Sequence, residues 1–325
     1  MLKRAVTIAL AALGVVVVAA PVMAQKYPDR TVTMIVPYPA GGPTDETARV
    51  IGNFLTKKLG QNFIVENVTG GSTIIATNKL AKATPDGYTL LVHNLQITAN
   101  VTLFKNLPFD TAKDIVPVGL INKNPLVLVG RPGLAPKNLK DLIALMQKER
   151  LKEALPGFGT TGHLTSSLFI QVTKSKLDQI PYRGAAPAMT DLLGDHVDVF
   201  IGTPQSLVGH VRAGKLKAYG ITSMERSPLL PNAESIPALL GPQFDIVYWQ
   251  GLFAPAGTPA PVIATLNAAL QEAVSDPGIE KTWAGEGVSA FPKDQRSQAA
   301  AVAFVKSETA RWGKIIKDNN ITVKQ

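Results

Sequence analysis

Short apolar runs alternate with segments of helical period along most of the chain. Residues 31–36 (Thr-Val-Thr-Met-Ile-Val) read as a strand, and a helical pattern follows over 44–59. Further strands are expected near 62–66, 88–92, 116–121 and 125–130, with helices near 72–83, 97–104 and 138–149. The middle of the chain repeats the alternation: strand 154–158, helix 162–174, strand 178–182, helix 185–194, strand 197–201, helix 205–213 and strand 216–222. A return strand near 246–254 precedes helices near 260–275, 278–284 and 294–319. This order predicts an α/β protein with mostly parallel sheets.

The most informative stretch is 36–49, where a strand ends in a proline- and glycine-rich loop that opens a helix. Gly41 and Gly42 let backbone approach a ligand closely. The first helical N–H groups have no intrahelical acceptor, and the helix dipole adds partial positive charge there. Together they predict an anion-binding turn. Thr44 could cap or donate its hydroxyl. Asp45 fits either N-terminal capping or ligand contact.

The N-terminus has the three-part form of a secretory signal. Lys3 and Arg4 precede an apolar run from Ala5 to Ala20, and Val22-Met23-Ala24 supplies small residues for cleavage, giving residues 1–24 as the signal. The run is shorter than the roughly 20 residues of a spanning helix. The sequence contains no cysteine, which excludes disulfides, thiolate metal sites, a cysteine nucleophile and lipid attachment through cysteine. The formal charge of +9 is dispersed and aromatics make up only 6%. A nucleic-acid binder would concentrate its basic residues and interleave aromatics, so none is expected as a partner.

Enzyme signatures are missing. There is no Gly-x-Ser-x-Gly elbow, His-Glu-x-x-His or phosphate-binding Gly-x-x-x-x-Gly-Lys-(Ser/Thr). His93, His163, His196 and His210 show no metal-ligand spacing, and neither a metal nor a cofactor is expected. Gly157 to Gly162 matches Gly-x-Gly-x-x-Gly, but Asp178 begins the following strand instead of ending it, so the dinucleotide fingerprint is incomplete. The loop reads better as a second donor-rich anion turn.

Several segments resemble the Bug (TctC-type) family of extracytoplasmic solute receptors of tripartite tricarboxylate transport systems. They are Tyr27-Pro28, Val36-Pro37-Tyr38, Ala40-Gly41-Gly42, Asp45 and Ala48-Arg49, followed by Pro85-Asp86-Gly87-Tyr88-Thr89-Leu90-Leu91 and Pro181-Tyr182-Arg183-Gly184. The similarity continues in Thr190-Asp191-Leu192-Leu193-Gly194, Gly251-Leu252-Phe253-Ala254-Pro255 and Arg311-Trp312-Gly313-Lys314. It runs in order along the whole chain after the signal.

The resemblance implies two Rossmann-like lobes joined by two crossing strands, the type II periplasmic binding protein fold. Residues 25–125 and 251–325 would form the first lobe and 126–250 the second. It also implies a periplasmic receptor that captures an organic carboxylate and docks on the membrane components of a tripartite transporter. Donor loops facing the cleft from both lobes point to a dicarboxylate, aliphatic or aromatic, with an amino acid or a monocarboxylate as the other options, and a monomer is expected. An exported enzyme on the same scaffold, or a ligand sensor for a membrane kinase, is the alternative.

Ligands of open parallel sheets sit at the carboxyl ends of strands. The candidates are therefore Pro39, Ala40, Gly41, Gly42, Thr44 and Asp45 in the first loop, and Phe158, Gly159, Thr160, Thr161 and His163 in the second. The second loop is about two residues shorter than the usual family form, and His163 can donate to a carboxylate or cap and pack. Gly184 and Ala185 offer backbone N–H groups in a third loop. Arg183 beside them could clamp a carboxylate, but the family's interchange of Arg and Lys there favours a surface role. Family members often carry a polar residue facing the cleft in the fourth loop, which nominates Thr203 and Gln205. His93, Asn94 and Gln96 are weaker candidates.

Overall fold

The computed structural model describes residues 27–323; the expected signal segment lies outside them. The strands are β1 (Val32–Val36), β2 (Phe63–Asn67), β3 (Thr89–Asn94), β4 (Ile115–Pro125), β5 (Val127–Gly130) and β6 (Leu151–Leu155). They continue with β7 (Leu177–Pro181), β8 (Val199–Gly202), β9 (Lys217–Ile221), β10 (Glu234–Ser235), β11 (Val247–Pro255) and β12 (Ser289–Ala290). They form two six-stranded sheets, ordered β12-β4-β11-β3-β1-β2 and β10-β9-β5-β8-β6-β7.

Each sheet is mostly parallel on one side and carries one long-range strand running against its neighbours. In the first, β1 pairs in parallel with β2 and β3, while β11 runs antiparallel to β3 and β4. In the second, β6 pairs in parallel with β7 and β8, while β5 runs antiparallel to β8 and β9. Helices cover both faces, so central strands read as continuous apolar runs. In β1, Val32, Met34, Ile35 and Val36 are all fully buried.

The chain leaves the first sheet at Pro125 and enters the second at Val127, with buried Leu126 between them. What the hydrophobic pattern offers as two strands near 116–121 and 125–130 is one eleven-residue strand, β4, followed by β5. The chain returns through β11, which belongs to the first sheet from Val247 onward. The final helix, Gln298–Asp318, packs on the first sheet. Both Trp249 on β11 and Trp312 on that helix donate an indole N–H to Glu308 Oε2, at 3.1 and 3.2 Å.

The first site helix, Pro43–Leu59, is closely specified by its sequence. Gly42 is the extended N-cap, Pro43 fills the first turn, Asp45 and Glu46 sit at the positive end of the dipole, and Lys57 and Lys58 sit at the negative end. Gly60 ends it in the left-handed region at φ 76°. Other boundaries shift. The strand expected at 154–158 is β6, ending at Leu155, so that 156–159 are loop. The helix expected from residue 72 begins at Ile74, because Ser72 and Thr73 are both left-handed.

Candidate anion-binding cleft between the two sheets

A cavity of about 70 Å³ lies between the sheets. At about 10–15 Å³ per water, it has room for several waters, the size class of a small organic acid. Four helices present their N-termini to it. Gly42, Pro43 and Thr44 come from the Pro43–Leu59 helix and its cap, and Thr160, Thr161 and Gly162 from the Thr161–Thr173 helix. Gly184, Ala185 and Ala186 come from the Ala185–Leu193 helix, and Thr203 caps the Pro204–Arg212 helix. One of these helices follows a strand of the first sheet and three follow strands of the second, all at the strands' carboxyl ends. Backbone N–H groups without intrahelical acceptors therefore face one space from opposite sides.

The remaining wall is apolar or neutral. Pro39, Leu126, Pro156, Phe200 and Ile201 supply the apolar surface, and Tyr38, Asn94 and Tyr248 supply polar atoms. Among the described residues, no Asp, Glu, His, Lys or Arg lines it. Asn94 Nδ2 donates to the Tyr248 hydroxyl at 3.2 Å and reaches Thr44 Oγ1 at 3.4 Å. Burial pushes the Tyr248 phenol up to about 12, and the Tyr38 phenol is raised by the same cause; both stay neutral donors at physiological pH.

Among the sequence candidates, Pro39, Ala40, Gly42, Thr44, Thr160, Thr161, Gly184, Ala185 and Thr203 line the cavity. Their hydroxyls differ in availability. Thr160 Oγ1 is engaged as a cap: it donates to the Gly157 carbonyl at 2.7 Å and accepts from the His163 N–H at 3.3 Å. Thr161 Oγ1 is buried with no hydrogen-bond partner. Gly184 is at φ 147°, and a Cβ there would sit 3.1 Å from Pro39 Cδ of the opposite lobe. The two lobes touch at that point, and glycine permits it.

Gly41, Asp45, Phe158, Gly159, His163 and Gln205 do not line this cavity. Asp45 is turned back into its own loop. Its carboxylate accepts from the Gly41 N–H at 2.9 Å, from Arg49 at 2.9 and 3.0 Å and from Asn67 at 2.9 Å. Burial pushes this carboxyl up, but the bonds from Arg49, Gly41 and Asn67 outweigh it and hold it below the ordinary carboxylate value. His163 accepts the Gly159 N–H on Nδ1 at 3.2 Å and packs edge-on against Phe158. Burial depresses it to about 4, so it is a neutral packing group. Phe158 and the exposed Arg183 line a neighbouring cleft of about 420 Å³, along with Ser72, Thr73, Gln96 and Tyr182.

Tyr38, Phe200 and Tyr248 were not nominated from the sequence. A tyrosine inside the largely apolar return strand was the available signal for Tyr248, because a buried phenol needs a partner. Among the described residues, no cluster of His, Cys, Asp or Glu could hold a metal ion, and no helix is long and apolar enough to cross a membrane.

Comparison with known proteins gives the same architecture. Residues 47–321 match the model of the tripartite tricarboxylate transporter family receptor, TctC. Protein BugT of Bordetella pertussis is 34% identical over 314 residues, covering 94% of each chain. The periplasmic binding protein BugD superposes with a TM-score of 0.87 at 32% identity, covering 92% of this chain and all of its own. MatC from Rhodopseudomonas palustris, solved with bound malate, superposes with a TM-score of 0.83 at 34% identity over 89% of this chain and 100% of that one. The R. palustris protein Rpa4515, solved with adipate, gives 0.85 at 29% identity over 91% and 99%. With its two matching sheets, its interlobe cleft and its full-length similarity, this chain belongs to the TctC family of tripartite tricarboxylate transporter receptors.

Proposed function

We propose that the chain is a periplasmic receptor that captures a small dicarboxylate in the interlobe cleft and hands it to the membrane components of a tripartite transporter. The observation that carries this reading is the convergence of four helix N-termini from two sheets on one cavity without a charged side chain. One carboxylate is held at the Ala40–Thr44 loop and helix start, and the other end of the ligand faces Thr161–Gly162, Gly184–Ala186 and Thr203. Hydrogen bonds to a charged group contribute about 1.5–3 kcal/mol each, and micromolar affinity needs about 8 kcal/mol. Four to six backbone and hydroxyl donors meet that requirement after the costs of ordering and desolvation.

Two further features support binding without chemistry. The lining offers no group that gains or loses a proton near neutral pH, so no general acid or base faces the ligand. The related structures with malate and adipate are both dicarboxylate complexes. We take the two sheets as two lobes that hinge at Pro125–Leu126 and at Ile246–Val247, where single connections join them, and that close over the ligand. Closure driven by a ligand requires tighter binding to the closed state. Export through a cleaved signal at residues 1–24 and release into the periplasm complete the reading.

The test is calorimetric titration of the purified mature chain with dicarboxylates of increasing length, malate and adipate included, followed by mass analysis of the recovered ligand. Saturable binding of an unaltered dicarboxylate is the expected result. Steady conversion of the ligand would instead make the chain an enzyme.

A further inference from the structure

Gln96 joins the cavity wall of one lobe to a loop of the other. It is the first residue of the Gln96–Leu103 helix and is buried, at 1% exposure. Its Nε2 donates to the Phe158 carbonyl of the second lobe at 3.1 Å and to the Ser72 carbonyl of its own lobe at 3.3 Å. Its Oε1 accepts from the Tyr38 hydroxyl at 2.8 Å. Tyr38 lines the cavity and lies 2.9 Å from Asn94 Oδ1, and Asn94 in turn donates to Tyr248. A run of polar contacts therefore links Tyr248, Asn94, Tyr38 and Gln96 to the main chain of the opposite lobe, with the single Tyr38 hydroxyl proton shared between Asn94 Oδ1 and Gln96 Oε1.

Resting on the receptor reading above, we propose that Gln96 is a closure latch: the residue that couples the state of the carboxylate cavity to docking of the 157–159 loop onto the first lobe. Three local features suit it to that role. Asn100 Nδ2 donates to the same Ser72 carbonyl at 2.8 Å, which fixes the left-handed Ser72–Thr73 turn as one wall of the seat. Gly159, at φ 77°, completes the opposite wall. A Cβ there would lie 3.1 Å from Gln96 Nε2 and 3.3 Å from Leu103 Cδ1, so any side chain would crowd the latch and would be strained at that φ. The amide also supplies both roles at once, as acceptor toward Tyr38 and donor toward Phe158, which neither a carboxylate nor an alkyl group reproduces.

The test uses the absence of cysteine. Spin labels on cysteines placed at exposed Lys105 and Thr190 report lobe separation in the mature chain, both as purified and with saturating malate or adipate. Gln96→Glu keeps the acceptor for Tyr38 but turns a carboxylate oxygen toward the Phe158 carbonyl; Gln96→Ala removes all three side-chain bonds. With melting midpoint and far-UV spectrum monitored in parallel, both variants are expected to lower the closed-to-open ratio roughly fivefold to tenfold, the weight of one or two neutral hydrogen bonds. Any dicarboxylate that binds should also dissociate faster. Gly159→Ala should do the same from the other lobe. An unchanged short-distance population in both Gln96 variants overturns the latch, as does a wild-type chain with no short-distance population in any condition. Failure of every carboxylate to bind while the Gln96 variants still open the lobes would instead remove the ligand assignment and leave the latch standing.

Discussion

Thr44 Oγ1 lies 2.9 Å from the Tyr248 hydroxyl, so the first helix and the return strand meet in one buried bond at the wall of the cleft. Tyr248→Phe deletes that oxygen and strips Asn94 Nδ2 of an acceptor at the same time. Asn94 Nδ2 keeps only its longer contact to Thr44 Oγ1 at 3.4 Å, and under-satisfying a buried donor costs about 1–3 kcal/mol. The expected outcome is a stability loss in that range by urea denaturation, together with dicarboxylate affinity reduced roughly tenfold by calorimetry.

Thr161 should behave in the opposite way in the two assays. Its hydroxyl is buried with no hydrogen-bond partner among the described residues, so Thr161→Val removes a polar atom that makes no bond within the fold. Urea denaturation is expected to show unchanged or slightly higher stability. Calorimetry is expected to show affinity lowered roughly tenfold, the weight of a hydrogen bond to a charged group. A stability loss without an affinity loss would take Thr161 out of the site.

The Asp45 carboxylate serves its own loop, and its protonation has a defined sign. Its folded pKa lies below the ordinary 3.8, so its contribution is present above pH 3.8 and disappears as pH falls through the lower folded value. At neutral pH, Asp45→Asn is expected to cost about 1–3 kcal/mol, the price of replacing a charge-assisted acceptor of several donors. The difference between variant and wild type should vanish in acid, as measured by denaturation across pH.

Glu153 in β6 gives the reverse dependence. It is fully buried, accepts hydrogen bonds from Ser166 and from Gln179 at 3.1 Å, and has one oxygen without a partner. Burial raises it from 4.5 to about 7, while the bonds from Ser166 and Gln179 oppose the shift. The folded state therefore holds a proton that the unfolded chain has lost. Stability is full below pH 4.5, falls as pH rises to about 7, and is flat above. His163, depressed by burial from 6.5 to about 4, works in the opposite direction over most of that window. Glu153→Gln should consequently unmask a rise in stability with pH up to about 6.5 and exceed wild type above pH 7.

Much of this architecture was legible because local signals agreed. Extended Gly42, Pro43 in the first turn, acidic residues after it and Gly60 at the end define one helix without tertiary information. The four strand-to-helix turns marked the cleft for the same reason. Side-chain direction within those turns was not legible. Asp45 and His163 have the chemistry of ligand contacts, yet Arg49 and Asn67 satisfy one and the Gly159 N–H and Phe158 ring hold the other. Tyr248 and Phe200 reach the cleft from strand positions whose facing depends on register and on how the lobes meet. The left-handed Ser72 and Thr73 break a helical pattern that period alone extends to residue 72. They are held by Gln96 and Asn100, contacts between residues distant in sequence.

The central claim is that opposed helix starts, and no cationic side chain, hold a dicarboxylate between the lobes. A crystal structure of the mature chain with its tightest dicarboxylate tests it most directly. The account predicts one carboxylate within hydrogen-bonding distance of the Gly42 and Thr44 amides and the other end of an intact ligand at Thr161–Gly162 or Ala185–Ala186. A ligand seated away from these residues, clamped by Arg183, or recovered as a different compound would contradict it.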